Sequence, residues 1–325
     1  MVDVQINPNI YSVSAFAPAT SANFSVGFDL IGFPITGVGD TVKLVKRSDS
    51  QIKICAISGV VNDSVLSKDI DKNLVSIVID KLLKDYKLSI GFDIYLEKGI
   101  TLGSGMGGSA ASSVAALLAL NEFFEKPLAL DQLINYAVYG ESQISGGAYH
   151  ADNVAPSMFG GLVLLQSSKP VKMIQLPTCD LYAAIVQPQM SIETKQARAI
   201  LTNPYSLKEI TLQTTALAAS IAGLYRNDMT LFSNNLKDIL IEPRRKYLIK
   251  GYDDVKSVAL SNGAIACGIS GSGPSMFAVA MNTEDANRVA LSMKGAFENL
   301  NIHAQSWVTA LDAEGGKVLE VIKDE

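Results

Sequence analysis

The stretch GITLGSGMGGSAASSVAALLALNEFF, residues 99–124, constrains the possible folds of this chain more than any other segment. Five glycines stand in its first ten positions, and an Ala- and Leu-rich run that predicts a helix to about Phe124 follows them. The N-terminus of a helix presents N–H groups without intrahelical partners and the positive end of the dipole, and glycines let the backbone approach an anion closely. The segment therefore predicts a glycine-rich loop at the start of a helix, in a form suited to phosphate.

Other patterns compete for this loop. Gly103, Gly105 and Gly108 fit the G-x-G-x-x-G spacing of dinucleotide-binding folds. That fold requires a parallel strand and an acid after the helix, whereas a second helix is predicted here. A Walker A loop requires Lys after its last glycine, and Ser109 stands there, so that type is excluded. A structural interpretation, in which small residues allow tight helix packing, stays open beside a phosphate-binding loop of another type.

The composition describes a globular protein of more than one domain. The chain has 325 residues, of which 48% are hydrophobic and 18% charged. This length predicts two domains, and this balance excludes the disordered class. Lys and Arg number 27 against 32 Asp and Glu, a formal net charge of -5. Because phosphate-backbone binding needs a clustered basic face, we expect no nucleic-acid partner.

Several features predict a cytoplasmic protein without a membrane partner. The N-terminus lacks the basic and then apolar pattern of a signal peptide, and the longest apolar run, 114–120, is too short to span a bilayer. Cys55, Cys179 and Cys267 are odd in number and far apart, which is typical of reduced thiols in the cytosol. The chain has two histidines, which excludes a metal site made of several histidines.

Strand and helix patterns are mixed along the whole chain. In the first half, strands are predicted at 41–47, 51–57, 90–97 and 160–166, and helices at 73–86, after the glycine loop and at 131–144. In the second half, strands are predicted at 181–188, 264–270, 275–280 and 303–311, and helices at 194–200, 207–239, 253–261 and 284–299. This mixture predicts the α+β class. We place a domain boundary within 166–172, which gives domains of residues 1–168 and 169–325 with a cleft between them.

Three separated segments carry a resemblance to a known family. They are APATSANFSVGFDLIG (17–32), GITLGSGMGGSAAS (99–112) and GISGSGPSMFA (268–278). In this order they resemble the three motifs of the GHMP small-molecule kinases. In addition, SGGAYHADNVAPSMFGG (145–161) and IEPRRKYL (241–248) are similar to the branch of that family that phosphorylates the amino acid L-homoserine.

The resemblance implies a fold and an activity. The fold has an N-terminal mixed α/β domain with a left-handed βαβ unit, a C-terminal ferredoxin-like α+β domain, and the active site in the cleft between them. The activity is transfer of the γ-phosphoryl group of ATP, with Mg²⁺, to the side-chain hydroxyl of L-homoserine, which gives O-phospho-L-homoserine in threonine biosynthesis. A homodimer is also expected from the family.

The resemblance also assigns residues to ATP and Mg²⁺. The implied nucleotide contacts are Asn73, Leu102, Gly103, Ser104, Gly105, Met106, Gly107, Gly108 and Ser109. Ser109 and Glu141 are the implied Mg²⁺ ligands, because hydroxyl and carboxylate oxygens suit this ion. As single residues, Glu141 could instead be an exposed acid at a helix end and Asn73 a helix cap. Two positions depart from the family pattern. Gly108 stands where the family usually has Ser, and Thr101 stands where it often has Pro.

The implied contacts to the amino-acid substrate come from distant parts of the chain. They are Asn23, Asp29, His150, Asn153, Thr194, Arg198, Arg245 and Gly271. Arg198 and Arg245 are assigned to the substrate carboxylate, since guanidinium presents a planar fork to it, and Asp29 to the ammonium. Arg244 stays an alternative within the doublet. Asn23 could also be a turn residue and Arg198 a solvated helix residue.

The sequence YHADN leaves the mechanism open between two residues. Many relatives place an aspartate base near the acceptor hydroxyl, and Asp152 is available for this role. Our hypothesis is that Asn153 orients the hydroxyl and that no base is required, because a loose transition state needs little prior deprotonation. Asp152 as a general base is the alternative. His150 is expected to be a pocket residue.

Two other functions and one further loop also stay open. The chain could be another GHMP kinase acting on mevalonate, a sugar or an aminoalcohol, or a nucleotide-binding relative without catalysis. The loop GISGSGPS, 268–275, could be a plain hairpin, although the resemblance implies that its backbone closes the active site.

Overall fold

The computed structural model describes residues 4–144 and 149–324, which form two sheets with helices packed on them. The strands of the larger sheet are β1 (Ile10–Ala22), β2 (Ile31–Lys46), β3 (Ile52–Gly59), β4 (Phe92–Lys98), β5 (Val163–Ser168), β6 (Val171–Gln175) and β11 (Lys317–Lys323). The strands of the smaller sheet are β7 (Tyr182–Pro188), β8 (Ala266–Ile269), β9 (Met276–Ala280) and β10 (Ala304–Ala310).

The helices fall into two groups along the chain. The first group is α1 (Leu74–Asp85), α2 (Gly108–Asn121), α3 (Leu130–Ile144) and α4 (Val154–Phe159). The second group is α5 (Thr194–Ala199), α6 (Leu207–Arg226), α7 (Met229–Asn235), α8 (Glu242–Arg245) with a 3₁₀ turn at Lys246–Leu248, α9 (Tyr252–Ser261) and α10 (Thr283–Asn299). None of the helices among the described residues combines the length and the apolar character needed to cross a membrane.

The larger sheet has the order β11-β1-β2-β4-β3, with β5 paired to β2 and β6 paired to β5. Its pairs are antiparallel except β3 and β4, which are parallel and joined through α1. This connection is a βαβ unit, as predicted, and its left-handed sense stays a prediction. Both β6 and β11 lie beyond residue 168 and yet belong to this sheet. The domain boundary after residue 168 also stays a prediction.

Helix α2 lies at the centre of the larger layer. Every side chain from Ala110 to Asn121 is buried, because Ala and Leu stand on all its faces and leave no polar stripe. The helix packs against β1 and β2, and α1 and α3 cover it. The glycine-rich loop therefore leads into a helix that is held by packing on every side.

The smaller sheet is antiparallel and has the order β10-β7-β9-β8. Helices α5 to α9 lie between β7 and β8 in the chain, and α10 lies between β9 and β10. Each half is a strand–helix–strand unit, and the strand order is that of the ferredoxin-like split βαβ fold. The predicted ferredoxin-like part is confirmed.

Buried phenylalanines join the two sheets. Phe24, from the first motif, and Phe33 of β2 contact Phe277 of β9 with ring centroids 5.7 and 6.1 Å apart. Phe232 of α7 stacks on Phe24 at 6.2 Å. Aromatic pairs at these distances contribute to stability beyond the area they bury. Because both sheets share this apolar contact, the motifs that they carry are fixed relative to one another.

The helical region predicted at 207–239 is wrong in its extent. Helix α6 ends at Arg226 because Asn227 adopts a left-handed backbone with φ 51°. Asp228 then accepts a hydrogen bond from the N–H of Leu231 and starts α7, which ends at Asn235. Asn and Asp are typical helix caps, and the apolar periodicity of the region obscured them.

Candidate active site

A cavity of about 260 Å³ lies where the two sheets and their loops meet. Its lining includes every predicted site residue except Asn73, and adds Thr101 and Ser272. The lining residues with predicted roles are Asn23, Asp29, Leu102, Gly103, Ser104, Gly105, Met106, Gly107, Gly108, Ser109, Glu141, His150, Asp152, Asn153, Thr194, Arg198, Arg245 and Gly271. The structure thus brings these residues together, while their individual roles in binding stay predictions.

The glycine-rich loop turns its carbonyl groups into the protein. Gly103, Gly105 and Gly107 have φ angles of 64, 78 and 65°, a left-handed conformation that glycine adopts readily. Four successive carbonyls accept hydrogen bonds: Gly103 from Ile192 N–H at 3.0 Å, Ser104 from Ser275 N–H at 3.1 Å, Gly105 from the Ser270 hydroxyl at 2.9 Å and Met106 from Thr20 N–H at 3.0 Å. The loop is therefore fixed through its oxygens.

The N–H groups of the same loop have no such partners. None of the hydrogen bonds found among the described residues uses the backbone N–H of Gly105 through Ser109. Gly107 is the residue that begins α2, and it supplies no side-chain cap. An uncapped helix start with free N–H groups facing a cavity is a ready anion site. The loop therefore has the geometry expected of an anion site, and phosphate binding by it stays a prediction.

A buried ion pair lies beneath the first turn of α2. The Lys98 ammonium, only 2% exposed, donates to Asp40, to the Gly108 carbonyl at 2.9 Å and to the Ser112 hydroxyl at 2.9 Å. Asp40 in turn accepts from the N–H of Gly99 at 3.0 Å. A buried pair persists when its donors and acceptors are satisfied in this way. Sequence reasoning missed Asp40 and Lys98, because neither stands in a recognisable local pattern.

Glu141 lies beside Ser109 at the end of the loop. Its Oε1 is buried and has no hydrogen-bond partner among the described residues, so the exposed-acid alternative is wrong. Burial raises the pKa of the Glu141 carboxyl to about 7, against the opposing effects of the nearby Ser109 hydroxyl and the charge of Lys98. A buried oxygen without a partner next to a hydroxyl fits the donor set of a hard divalent cation such as Mg²⁺.

Glu141→Gln is expected to lower kcat by about 10²- to 10³-fold and to raise the Mg²⁺ concentration that gives half-maximal rate, because the amide is a weaker ligand for a hard cation. Steady-state rates measured over a Mg²⁺ titration check this. Glu125→Gln, at an exposed glutamate, is the matched control and should leave both values unchanged. An unaltered Mg²⁺ requirement in Glu141→Gln would contradict the predicted role of Glu141 as a Mg²⁺ ligand.

The two charges predicted to bind opposite ends of the substrate pair with each other. Arg198 donates to both carboxylate oxygens of Asp29, at 3.0 and 2.8 Å. The Nδ1 of His150 lies 3.4 Å from an Arg198 nitrogen, and burial together with the charge of Arg198 lowers the pKa of His150. Arg198 Nε and His150 Nε2 are buried without a partner among the described residues. Arg198 is therefore not a freely solvated residue.

Arg245 is the buried member of the arginine doublet. It is 3% exposed, and it donates to the carbonyls of Ala197 at 3.0 Å and Gly271 at 3.1 Å. Burial, and then the charge of Arg198, lower its pKa to about 10, so it stays protonated at neutral pH. Arg244 instead donates to the Asn203 carbonyl at 2.6 Å and is not part of the cavity lining. Of the doublet, Arg245 lines the cavity and Arg244 does not, while the contact of Arg245 with a substrate carboxylate stays a prediction.

The first motif and the last glycine loop are tied together at the cavity. The Asn23 side chain donates to the Gly271 carbonyl at 2.6 Å and accepts from the N–H of Asp29 at 3.1 Å. Its backbone is left-handed, with φ 76°, so the turn interpretation holds beside its place in the lining. The hydroxyls of Thr194 and Ser272 lie 3.5 Å apart. The loop between β8 and β9 therefore borders the cavity, as predicted.

Asp152 and Asn153 lie side by side at the start of α4. Asp152 is 5% exposed, and burial followed by the charge of Asp29 raises the pKa of its carboxyl well above the usual range. The Asn153 Oδ1 accepts a hydrogen bond from the Thr20 hydroxyl at 2.8 Å. Residues 145–148 of the motif that contains this pair lie outside the described residues.

Asn73 lies outside the cavity lining. Its Oδ1 accepts from the N–H of Val75 and its Nδ2 donates to the Ser67 carbonyl at 2.8 Å, so both side-chain groups are used at the start of α1. The helix-cap interpretation is confirmed. The predicted contact of Asn73 with the adenine of ATP stays a prediction.

An uncapped helix start at the edge of a polar cavity, between two sheets, is the arrangement expected of a protein that binds a phosphorylated small molecule. Comparison with known proteins agrees: residues 73–161 match the family model described as GHMP kinases N terminal domain, and residues 216–299 match GHMP kinases C terminal. The chain is 39% identical over 315 residues to a homoserine kinase of Xylella fastidiosa (strain M12), covering 97% of this chain and 96% of that protein.

Two further comparisons point the same way. A homoserine kinase of Chlorobium phaeobacteroides (strain BS1) is 40% identical over 321 residues, covering 95% of this chain and 99% of that protein. The crystal structure of homoserine kinase from Cytophaga hutchinsonii ATCC 33406 superimposes with a TM-score of 0.90 at 39% identity, covering 95% of this chain and 97% of that chain. The chain belongs to the homoserine kinase family of the GHMP kinases.

Proposed function

We propose that the protein transfers the γ-phosphoryl group of ATP to the side-chain hydroxyl of L-homoserine, in the presence of Mg²⁺, and forms O-phospho-L-homoserine for threonine biosynthesis. One observation carries the proposal: a single cavity joins the free N–H groups at the start of α2 to a set of two arginines and an aspartate. The family membership supports the same assignment. A homodimer is proposed from the family resemblance alone.

The donor side supplies position and positive charge. Phosphoryl transfer requires the reacting groups to be aligned and the charge on the phosphate oxygens to be neutralised, with little covalent chemistry from the protein. The N–H groups of Gly105–Ser109 would hold the phosphates, and the buried Lys98, whose charge is offset by Asp40, holds the Gly108 carbonyl beneath them. Glu141 and Ser109 would hold Mg²⁺, which supplies charge neutralisation at the transferred group.

The acceptor side suits a zwitterion. Arg198 and Asp29 neutralise each other as a pair, so the site carries opposite charges next to one another. A free amino acid also carries both charges and can present its carboxylate to Arg198 and Arg245 while its ammonium lies near Asp29. Mevalonate and sugars lack the ammonium group, and aminoalcohols lack the carboxylate. The Asp29–Arg198 pair therefore favours an amino acid over the acceptors of the other GHMP kinases.

The experiment that tests this function is a coupled assay of ADP release. We expect turnover with L-homoserine, ATP and Mg²⁺, and rates at least about 10²-fold lower with mevalonate or galactose, since mevalonate offers no ammonium to Asp29 and galactose offers no carboxylate to Arg198 and Arg245. Turnover of mevalonate or galactose in place of homoserine would support another GHMP kinase. Absence of turnover with all three would support the nucleotide-binding relative without catalysis.

Asp152→Asn distinguishes orientation by Asn153 from catalysis by an Asp152 base. We expect kcat to fall by less than about 10-fold, because orientation of the hydroxyl does not require Asp152 to accept a proton, whereas loss of a general base removes about 10²- to 10⁴-fold. Steady-state kinetics with circular dichroism as a folding check measure this. A fall of several decades with intact folding would establish Asp152 as the base.

The same variant has an expected pH signature. Burial raises the pKa of Asp152 in the folded state, so the unfolded chain releases this proton at a lower pH than the folded protein does. The free energy of unfolding of the unmodified protein therefore falls as pH rises through the folded pKa, where the buried acid becomes charged. Asp152→Asn keeps a neutral side chain at every pH. We therefore expect the free energy of unfolding of the variant, relative to the unmodified protein, to be larger at pH 8 than at pH 5. Urea unfolding at the two pH values checks this, and an unchanged difference would contradict it.

A further inference from the structure

Thr20 is a buried residue that no prediction from the sequence singled out. It lies near the end of β1 and is fully buried. Its N–H donates to the Met106 carbonyl of the glycine loop at 3.0 Å, and its hydroxyl donates to the Oδ1 of Asn153 at 2.8 Å. One residue therefore contacts both the loop assigned to the phosphates and the side chain assigned to the acceptor hydroxyl.

The contact between these parts is close. A Cβ placed on Gly107 would overlap the Thr20 hydroxyl and lie 2.9 Å from the Asn153 Oδ1. The absence of a side chain at Gly107 thus leaves room for the Thr20–Asn153 hydrogen bond. Asn153 begins α4 without capping that helix through its side chain. Among the described residues, the Thr20 hydroxyl is the group to which the Asn153 side chain is hydrogen-bonded.

We propose that Thr20 is a positioning residue, which fixes the orientation of the Asn153 amide so that its NH₂ group faces the acceptor hydroxyl. An amide oxygen that accepts from Thr20 turns the amide nitrogen away from it, toward the cavity that Asn153 lines. The inference rests on the proposed function, because it concerns how the acceptor alcohol is held.

This orientation decides what Asn153 can do chemically. An NH₂ group donates a hydrogen bond to the alcohol oxygen and has no lone pair that could take the alcohol proton. The oxygen then forms the new bond to the γ-phosphorus, the bond from that phosphorus to the β,γ-bridging oxygen breaks, and the electron pair leaves with ADP. The alcohol proton passes to an oxygen of the transferred phosphoryl group, so atoms and charges balance without a protein base.

Substitutions of Thr20 test the assignment. Thr20→Val keeps the side-chain volume but removes the hydroxyl donor, which frees the amide to turn, whereas Thr20→Ser keeps the donor. We expect kcat with homoserine to fall by about 10- to 100-fold in Thr20→Val, the usual effect of losing one hydrogen bond at a buried polar group, and to stay within about threefold in Thr20→Ser. The Kd of a non-hydrolysable ATP analogue should stay within about threefold in both variants, because the loop is held by the Thr20 backbone.

Thr309→Val is the matched control. Thr309 is equally a buried threonine, and its hydroxyl donates to the Pro34 carbonyl at 3.2 Å, outside the cavity lining. The Thr309→Val variant loses a hydroxyl, as Thr20→Val does, and should leave kcat unchanged. Three results would overturn the role of Thr20. They are a wild-type kcat in Thr20→Val, an equal fall of kcat in Thr20→Ser, and a rise in the Kd of the ATP analogue that matches the fall in kcat. If the unmodified protein does not turn over homoserine, the proposed function fails and this assignment fails with it.

Discussion

Gly105→Ala is expected to lower kcat/KM for ATP by at least about 10²-fold while the protein remains folded. Gly105 has φ 78°, and a Cβ there would lie 2.5 Å from the Ser270 carbonyl oxygen and 2.7 Å from that of Gly273. The left-handed backbone costs an alanine about 1–2 kcal/mol, and both carbonyls belong to a hydrogen-bonded loop that cannot yield easily. The loop must therefore shift, and a displacement of about 1 Å at a reacting group lowers rates by about 10²-fold.

Gly295→Ala is the matched control for this variant. A Cβ on Gly295 would meet nothing within 4 Å, and the residue lies in the interior of α10. Alanine there should leave the kinetics unchanged and raise stability by about 0.5–1 kcal/mol, as expected for a helical glycine replaced without strain. Steady-state kinetics with circular dichroism and thermal unfolding measure both variants. Normal ATP kinetics in Gly105→Ala would show that the loop conformation is not needed for nucleotide binding.

Arg198→Ala is expected to raise KM for homoserine by about 10²- to 10³-fold with a much smaller change in kcat. The guanidinium is proposed to bind the substrate carboxylate both before and during transfer. Its loss therefore weakens the binding of the substrate and of the transition state to the same extent. Loss of a charge-assisted bidentate contact corresponds to about 3–4 kcal/mol. The substitution also leaves Asp29 unpaired next to Asp152, and the remaining negative charge repels a carboxylate.

Arg244→Ala is the matched control for the arginine. Arg244 has the same charge but packs its guanidinium over the Tyr205 ring at 3.6 Å, outside the cavity lining. Its removal should leave KM for homoserine within about threefold, since it contacts no part of the site. Kinetics at varied homoserine and saturating ATP measure the effect. Unchanged homoserine kinetics in Arg198→Ala would refute the assignment of Arg198 to the carboxylate.

Local patterns predicted most of the secondary structure. Helix α2 and its glycine loop were predictable because a helix needs only neighbouring residues, and the apolar run left no alternative. The pattern failed at Asn227, where a short cap interrupts a long periodic region. It also predicted no strand at β1, β6 or β11 of the larger sheet, whose pairing partners lie far apart in the chain.

The membership of the site was predictable, whereas its internal pairing was not. Motif resemblance identified Arg198, Asp29 and Asn153 as site residues, but it treated each as a contact to a ligand. The structure pairs Arg198 with Asp29 across 169 positions and Thr20 with Asn153 across 133 positions. It also placed Asn73 at a helix cap outside the cavity. Such partners depend on how the two sheets pack, which no local pattern contains.

The sequence by itself determined the glycine loop, the buried helix that follows it and the family to which the three motifs point, because backbone freedom and hydrophobic periodicity act between neighbouring residues. Only the tertiary structure decided which loop oxygens are bound, which N–H groups stay free and which charges neutralise each other. The physical reason is that hydrogen bonds and ion pairs act over about 3 Å in space, whatever the distance along the chain.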